Sequence, residues 1–139
     1  MIDDLKAAIL SAGSGLHAQS TRMRIVSENL ANASATASAA GGDPYQRKTI
    51  TFSEELDRLS GASLVRISNI SRDKAPFPTE LDPGNPAADE TGYVKMPNVN
   101  PLVELTDMRE SHRSYEANLQ VVRQAREMIA DLIDLLKGK

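Results

Sequence analysis

Residues 108–136 read MRESHRSYEANLQVVRQAREMIADLIDLL, close to the end of a chain of 139 residues. Apolar residues recur in this stretch at alternating steps of four and three, and His112 and Arg126 are its polar interruptions. The apolar members of the row are Met108, Tyr115, Leu119, Val122, Ile129, Ile133 and Leu136. Because this spacing aligns the side chains along one side of a helix, it predicts a long C-terminal helix that packs against other helices.

A matching row begins near the N-terminus, and only Gln19 interrupts it. Its members are Leu5, Ile9, Ala12, Leu16, Met23, Val26, Leu30 and Ala33. The two rows predict a mainly α fold, in which long N- and C-terminal helices pair as a coiled-coil-like hairpin. Gly13 and Gly15 each weaken the first helix by about 1 kcal/mol relative to Ala. We therefore expect either close packing at these glycines or a first turn that becomes ordered only in an assembly.

The C-terminal helix carries a second apolar row beside the first one. Its members are Val121, Ala125, Met128, Leu132 and Leu135. An apolar stripe of this width is broader than a contact with one helix requires. A lone helical hairpin would leave part of the stripe uncovered, so the sequence predicts assembly with further subunits.

Composition divides the chain into four parts. We predict an N-terminal helix over residues 1–33, a flexible joint rich in Ala, Ser and Gly over 34–44, a small β-rich insert over 45–100, and a C-terminal helix over 101–139. Within the insert we predict strands at 46–52, 64–70 and 93–96, a short helical turn at 54–59, an extended proline-rich loop at 76–86, and a chain turn at 82–85.

Several classes of function are disfavoured by the composition. The net charge is −3 and no Lys/Arg cluster is present, which argues against binding to nucleic acid. The chain has no Cys and no Trp, and its aromatic content of 4% points away from a roomy enzyme interior or a small-molecule pocket. The acidic start and the polar residues within the first helix predict neither a cleaved signal peptide nor insertion into a membrane.

The sequence offers little support for a catalytic or metal-binding site. His112 and Glu116 lie four residues apart and could hold a metal, but no third ligand is near them in the sequence. His17 with Ser14 or Ser20 lacks the orienting acid of a catalytic triad, and the glycine pair at 13 and 15 lacks the Lys of a phosphate-binding loop. We therefore expect no catalytic residue, no cofactor and no metal ligand.

Asn29 and Asn32 lie three residues apart at the predicted end of the first helix. Asn is a poor helix former, so the pair indicates that these amides cap free carbonyl groups or bond to a neighbouring chain. The alternative is an ordinary helix end that runs into a loop.

The stretch from Ser27 to Ala33, together with Ser14-Gly15-Leu16, Gln19 and Arg22-Met23 before it, resembles the N-terminal signature of the bacterial flagellar rod and hook proteins. Three further stretches, at 82–89, 92–100 and 107–118, resemble the members of that family that form the proximal rod. The resemblance implies a structural subunit of the axial tube that joins the membrane-embedded base to the hook. It also implies export through the flagellar type III apparatus, without a cleaved signal peptide, to a rod in the periplasmic space.

The resulting expectation is a non-enzymatic subunit that assembles through its terminal helices with copies of itself and with other rod proteins. The partners would then be proteins alone, without nucleic acid, small-molecule substrate or inserted membrane. The expected assembly surface comprises Leu5, Ile9, Leu16, Met23, Val26, Asn29, Leu30, Asn32, Met108, Tyr115, Leu119, Val122, Ile129, Ile133 and Leu136. The alternative is a soluble coiled-coil adaptor or export chaperone, which would form a small discrete complex instead of a rod.

Overall fold

A computed structural model describes residues 1–138 of the chain. The helices and strands follow one another as α1 (Ile2–Ala31), β1 (Lys48–Leu56), β2 (Ser63–Arg72), β3 (Thr79–Leu81), β4 (Tyr93–Lys95) and α2 (Pro101–Leu136). Strands β1 and β2 form one two-stranded sheet, and β3 and β4 form a second, antiparallel one in which Glu80 lies opposite Val94. The structure confirms the predicted layout of two terminal helices with small sheets between them.

Local capping sets the ends of the two helices that face the insert. Helix α1 ends at Ala31, two residues before the predicted end, and the Asn32 side-chain amide donates to the Glu28 carbonyl over 2.8 Å. Helix α2 starts at Pro101, whose missing N–H is not needed at the first helical position. The Asn100 side chain caps this start by accepting a hydrogen bond of 3.0 Å from the Leu102 N–H.

The β-rich insert departs from the sequence prediction in two places. The helical turn predicted at 54–59 is wrong, because β1 continues to Leu56 and the chain turns only after it. Pairing across the sheet outweighs the local helix preference there, and the Asp57 N–H closes the turn by donating to the Ala62 carbonyl over 2.8 Å. Strand β3 was missed because prolines surround it, although a strand of three residues at a sheet edge tolerates them.

The turn predicted at 82–85 is confirmed, since the Asn85 N–H donates to the Asp82 carbonyl over 3.1 Å. The segment between α1 and β1 carries hydrogen bonds of its own, from Ala35 N–H to the Asn32 carbonyl and from Tyr45 N–H to the Ala35 carbonyl. The flexibility expected at 34–44 stays a prediction.

The chain forms two compact units, and both helices and both long strands contribute to each unit. Unit 1 comprises Met1–Met23, Thr51–Asn69 and the described residues from Arg109 onward. Its buried apolar side chains are small or branched, namely Ala12, Ala18, Ala62, Val122 and Ala125, and the polar Ser111 is buried with them. Unit 2 comprises Arg24–Ile50 and Ile70–Met108. Its buried apolar side chains are Ile25, Val26, Ala87 and Val94, and two polar side chains, Asn29 and Glu104, are buried with them.

The two glycines of α1 have different surroundings. A Cβ placed on Gly15 would lie 2.8 Å from Nδ2 and 3.0 Å from Cγ of Asn118 on α2, whereas a Cβ on Gly13 would meet nothing within 4 Å. The close approach expected from the sequence therefore exists at Gly15 and not at Gly13.

This contrast predicts opposite effects of the same substitution. Gly13→Ala should raise the free energy of unfolding by about 0.5–1 kcal/mol, because Ala restricts the unfolded chain and favours the helix. Gly15→Ala should lower it by about 1 kcal/mol or more, because Asn118 must move away from the new methyl group. Urea denaturation of the two variants measures both values. Equal stabilisation by both would mean that α2 does not approach Gly15 in solution.

Candidate assembly surface and buried polar cluster

The residues expected at the assembly surface differ in their exposure. Three of them are buried within the chain, namely Val26, Asn29 and Val122. Ten are half-buried, namely Leu5, Ile9, Leu16, Met23, Leu30, Asn32, Met108, Tyr115, Leu119 and Ile129. Ile133 and Leu136 are exposed. Their contact with other chains stays a prediction.

The inner face of α2 in unit 1 lies slightly to one side of the row that the sequence predicted. Ser111, Val122 and Ala125 are buried there, whereas His112 is exposed and Leu119 is half-buried. Asn118, which contacts Gly15, belongs to the same inner face. Asn118 therefore lies against α1 although it is outside the predicted apolar row, because Gly15 has no side chain to exclude it.

A second face of α2 carries large apolar side chains that stay partly exposed among the described residues. Val121, Met128 and Leu135 recur every seven residues and are 44%, 47% and 73% exposed. A shallow groove of about 230 Å³ beside this row is lined by Met1, Met128, Leu132 and Leu135 together with the acidic Asp131. We call Val121, Met128 and Leu135 the outer row. Contiguous exposed apolar side chains on a protein commonly mark a binding surface.

Unit 2 contains a buried polar cluster, formed by Asn29, Tyr45, Arg47, Lys48 and Glu104. The Asn29 amide group donates to the Lys48 carbonyl over 2.8 Å and to Glu104 Oε2 over 3.1 Å. Its side-chain oxygen accepts from the Tyr45 hydroxyl over 2.9 Å and from the Lys48 N–H over 2.8 Å. The Asn29 side chain thus makes all four of its possible hydrogen bonds within its own chain. Of the two asparagines singled out in the sequence, Asn32 is the one that caps a carbonyl group at the helix end.

Glu104 is the acid of the cluster, and none of its side chain is exposed. Arg47 Nε donates to Glu104 Oε1 over 2.6 Å, and the guanidinium also lies 3.6 Å from Asp73 and 3.8 Å from Asp107. Burial by itself lowers the pKa of Arg47, but the hydrogen bond and charge of Glu104, with Asp73 and Asp107, outweigh it and raise that pKa. Arg47 therefore stays charged and balances the buried carboxylate.

Two further groups complete the surroundings of the cluster. Burial, together with the charges of Glu28 and Glu104, raises the pKa of Tyr45, so its hydroxyl keeps its proton and donates to Asn29. The Lys48 ammonium forms an ion pair with Glu28. The cluster joins the end of α1, the start of β1 and the first turn of α2.

Only part of this cluster is predictable from the sequence. The sequence predicts a capping or assembly role for Asn29 and assigns no role to Glu104 beyond its place in the C-terminal helix. Arg47 carried no signal beyond its place in a predicted strand. A glutamate among apolar neighbours and an asparagine inside a helix are each unremarkable, and their pairing depends on contact across 75 residues.

The other polar positions considered above are surface features. His112 Nδ1 lies 3.8 Å from Glu116 Oε2, and both side chains are exposed. Within residues 1–138 no group of three potential metal ligands occurs.

Ser14 Oγ donates to the Ser11 carbonyl over 2.7 Å and accepts from the Val65 N–H over 2.9 Å, so it connects β2 to α1. Across residues 1–138, neither helix has a segment apolar and long enough to cross a bilayer.

Comparison with known proteins gives matches at both ends and over the full length. Residues 9–38 match the family described as flagella basal body rod protein, and residues 90–135 match the flagellar basal body rod FlgEFG protein C-terminal family. The flagellar basal-body rod protein FlgC of Agrobacterium fabrum is 59% identical over 137 residues, which cover 99% of each chain.

More distant relatives carry the same description. FlgC of Salmonella typhimurium is 36% identical over 89% of this chain and 92% of its own. FlgC of Borreliella burgdorferi is 34% identical over 96% of this chain and 99% of its own. These matches define the protein as a structural subunit of the flagellar basal-body rod. The chain belongs to the FlgC family of flagellar basal-body rod proteins. The adaptor or chaperone alternative is thereby set aside.

Proposed function

We propose that the protein acts without catalysis, as a load-bearing subunit of the proximal rod in the periplasmic space. In this proposal the terminal helices pair in the manner of a coiled coil, and the outer row of α2 packs against neighbouring rod subunits or other copies of the chain. Export through the flagellar type III apparatus precedes assembly. The rod core would be formed by the two terminal helices, at 1–33 and 101–139. The segment 34–44 would act as a joint, and the insert at 45–100 would make lateral contacts.

The exposure of the outer row is the observation that carries the proposal. Ser111, Val122 and Ala125 of α2 are buried within unit 1 and Asn118 lies against Gly15, whereas Val121, Met128 and Leu135 are exposed and available to another chain. Burying one large apolar side chain contributes about 1.5–3 kcal/mol. Three of them in one row, repeated at every contact, would resist the shear that a rotating shaft experiences.

We expect Met128→Asp to leave the isolated chain folded and to abolish most of its incorporation into rods. The free energy of unfolding should change by no more than about 1 kcal/mol, because the side chain is about half exposed in the isolated chain. Incorporation should fall at least about tenfold, because an unpaired charge would be buried in the contact. Chemical denaturation and quantification of the protein in purified basal bodies measure the two effects.

Ala130→Asp provides the matched control. Ala130 is exposed and lies two residues from Met128, about 200° around the helix, so the same new charge points away from the outer row. It should enter rods at close to the normal level. Normal incorporation of Met128→Asp, or equal loss in both variants, would contradict the role of the outer row.

A further inference from the structure

The turn between β1 and β2 carries large apolar side chains where polar ones are usual. Leu59 is 100% exposed and Leu56 is 65% exposed. Arg58, which lies between them, is exposed as well. Surface turns are dominated by Gly, Pro, Asn, Asp and Ser, so two exposed leucines in a turn are out of place unless another surface covers them. We call residues 56–59 the hairpin tip.

Backbone hydrogen bonds hold the hairpin tip in one conformation. The Asp57 N–H donates to the Ala62 carbonyl and the Gly61 N–H donates to the Asp57 carbonyl, each over 2.8 Å. Gly61 has a φ of +70°, which a residue with a side chain rarely adopts. The Asp57 carboxylate also accepts a hydrogen bond of 3.3 Å from the Leu59 N–H. A turn fixed in this way loses little conformational freedom when it binds to another surface.

The groove beside the outer row has the size and the chemistry to receive this tip. A cavity of about 150 Å³ holds a benzene molecule, so a groove of about 230 Å³ admits a leucine side chain. Its walls are apolar, with Met128, Leu132 and Leu135 on α2 and Met1 at the start of the chain. Asp131 adds an exposed carboxylate beside these walls, opposite in charge to Arg58.

Two other grooves lack this complementarity. One, of about 390 Å³, lies between α1 and β2 and includes His17 and Arg66 among the residues that line it. The other, of about 470 Å³, belongs to unit 2 and is lined by uncharged residues of 75–78 and 97–100. No acidic residue is among the described residues that line either groove. Arg58 would lose water there without gaining an opposite charge.

From this complementarity we infer that the hairpin tip of one copy docks into the groove beside the outer row of a second copy. Leu59 enters the groove, and Arg58 pairs with Asp131. The inference rests on the proposed function, in which another chain covers the outer row, and it names that chain. Tip and groove are different surfaces of unit 1, so each copy offers its tip to one neighbour and its groove to another. Contacts of this head-to-tail kind continue as a ring or an open helix, as an axial rod requires.

The absence of cysteine from the sequence allows this contact to be tested by disulfide cross-linking within rods. Leu59→Cys/Leu135→Cys replaces the natural chain in cells, and the purified basal bodies are oxidised. Leu59→Cys/Leu10→Cys is the matched control, because Leu10 is 48% exposed and lines the groove between α1 and β2. The first pair should give covalent oligomers of the chain, at least about tenfold more than the control, because a disulfide forms only between closely placed cysteines.

A charge exchange tests the same contact without cysteine. Arg58→Asp and Asp131→Arg each place two like charges in the contact, so each should lower incorporation into rods at least about fivefold. The combined variant restores an opposite pair and should return to within about twofold of the natural level. Circular dichroism of each purified chain should be unchanged, since both positions are exposed.

The inference would be overturned if basal bodies with a normal content of Leu59→Cys/Leu135→Cys gave no covalent oligomers. It would also be overturned if both single charge variants entered rods normally, or if the combined variant failed to recover. In any of these cases, loss of incorporation by Met128→Asp would still show that a different chain covers the outer row. Normal incorporation of Met128→Asp would instead remove the proposed role of the outer row itself.

Discussion

Arg47→Met should lower the free energy of unfolding by about 3–5 kcal/mol, the largest effect we expect from a single substitution in this chain. Glu104 is fully buried and Arg47 Nε lies 2.6 Å from its carboxylate. Removing the guanidinium leaves the buried Glu104 charge with the Asn29 amide as its remaining side-chain partner among the described residues. Urea denaturation followed by circular dichroism measures the loss.

Two controls separate burial from charge. Arg66→Met removes the partner of Glu55, in a pair whose side chains are 59% and 58% exposed, and should cost about 0.5 kcal/mol or less. Adding Glu104→Leu to Arg47→Met removes the orphaned charge and should restore most of the stability. If Arg47→Met and Arg66→Met cost the same, Glu104 would not be buried in solution and the cluster would be incorrectly placed.

Asn29→Asp should destabilise the fold by roughly 3 kcal/mol, although the two side chains have nearly the same shape. The Asn29 amide nitrogen donates to the Lys48 carbonyl and to the Glu104 carboxylate, so a carboxylate oxygen in its place would face two acceptors. One of them carries a negative charge at about 3.1 Å, in a buried site where repulsion is weakly screened. Thermal or urea denaturation at neutral pH measures the change.

The same substitution at Asn32 serves as the comparison. Asn32 makes one side-chain hydrogen bond, to the Glu28 carbonyl four residues earlier, and it is half-buried. Asn32→Asp should therefore cost about 1 kcal/mol, as expected for the loss of one cap together with a negative charge at a helix C-terminus. Similar losses at both positions would mean that Asn29 is only another helix-end residue, which is the alternative that the sequence left open.

Several features of the protein follow from short-range sequence patterns. The extents of α1 and α2 follow from apolar periodicity and from caps such as Asn100 before Pro101. The turn at 82–85 depends on residues within the turn itself. Each of these depends on interactions between residues a few positions apart, which a sequence displays directly. The motifs of the flagellar rod family are similarly short, and they identified the class of protein before any contact was known.

Tertiary contacts decided which side of each helix faces inward and which polar residues meet. The apolar row predicted from the periodicity includes Leu119 and the position of His112. In the structure Asn118 lies against Gly15 instead, and Ser111 is buried while His112 is exposed. Strand β1 extends into the predicted helical turn, as far as Leu56, because β2 pairs with it.

The sequence by itself determined two terminal helices, a β-rich insert and a rod subunit, because helical periodicity and local motifs are encoded by neighbouring residues. Only the tertiary structure decided that Asn29 and Glu104 meet and that Arg47 balances the buried charge. A hydrogen bond between residues 75 positions apart depends on how distant parts of the chain come together, which no pattern of neighbouring residues displays.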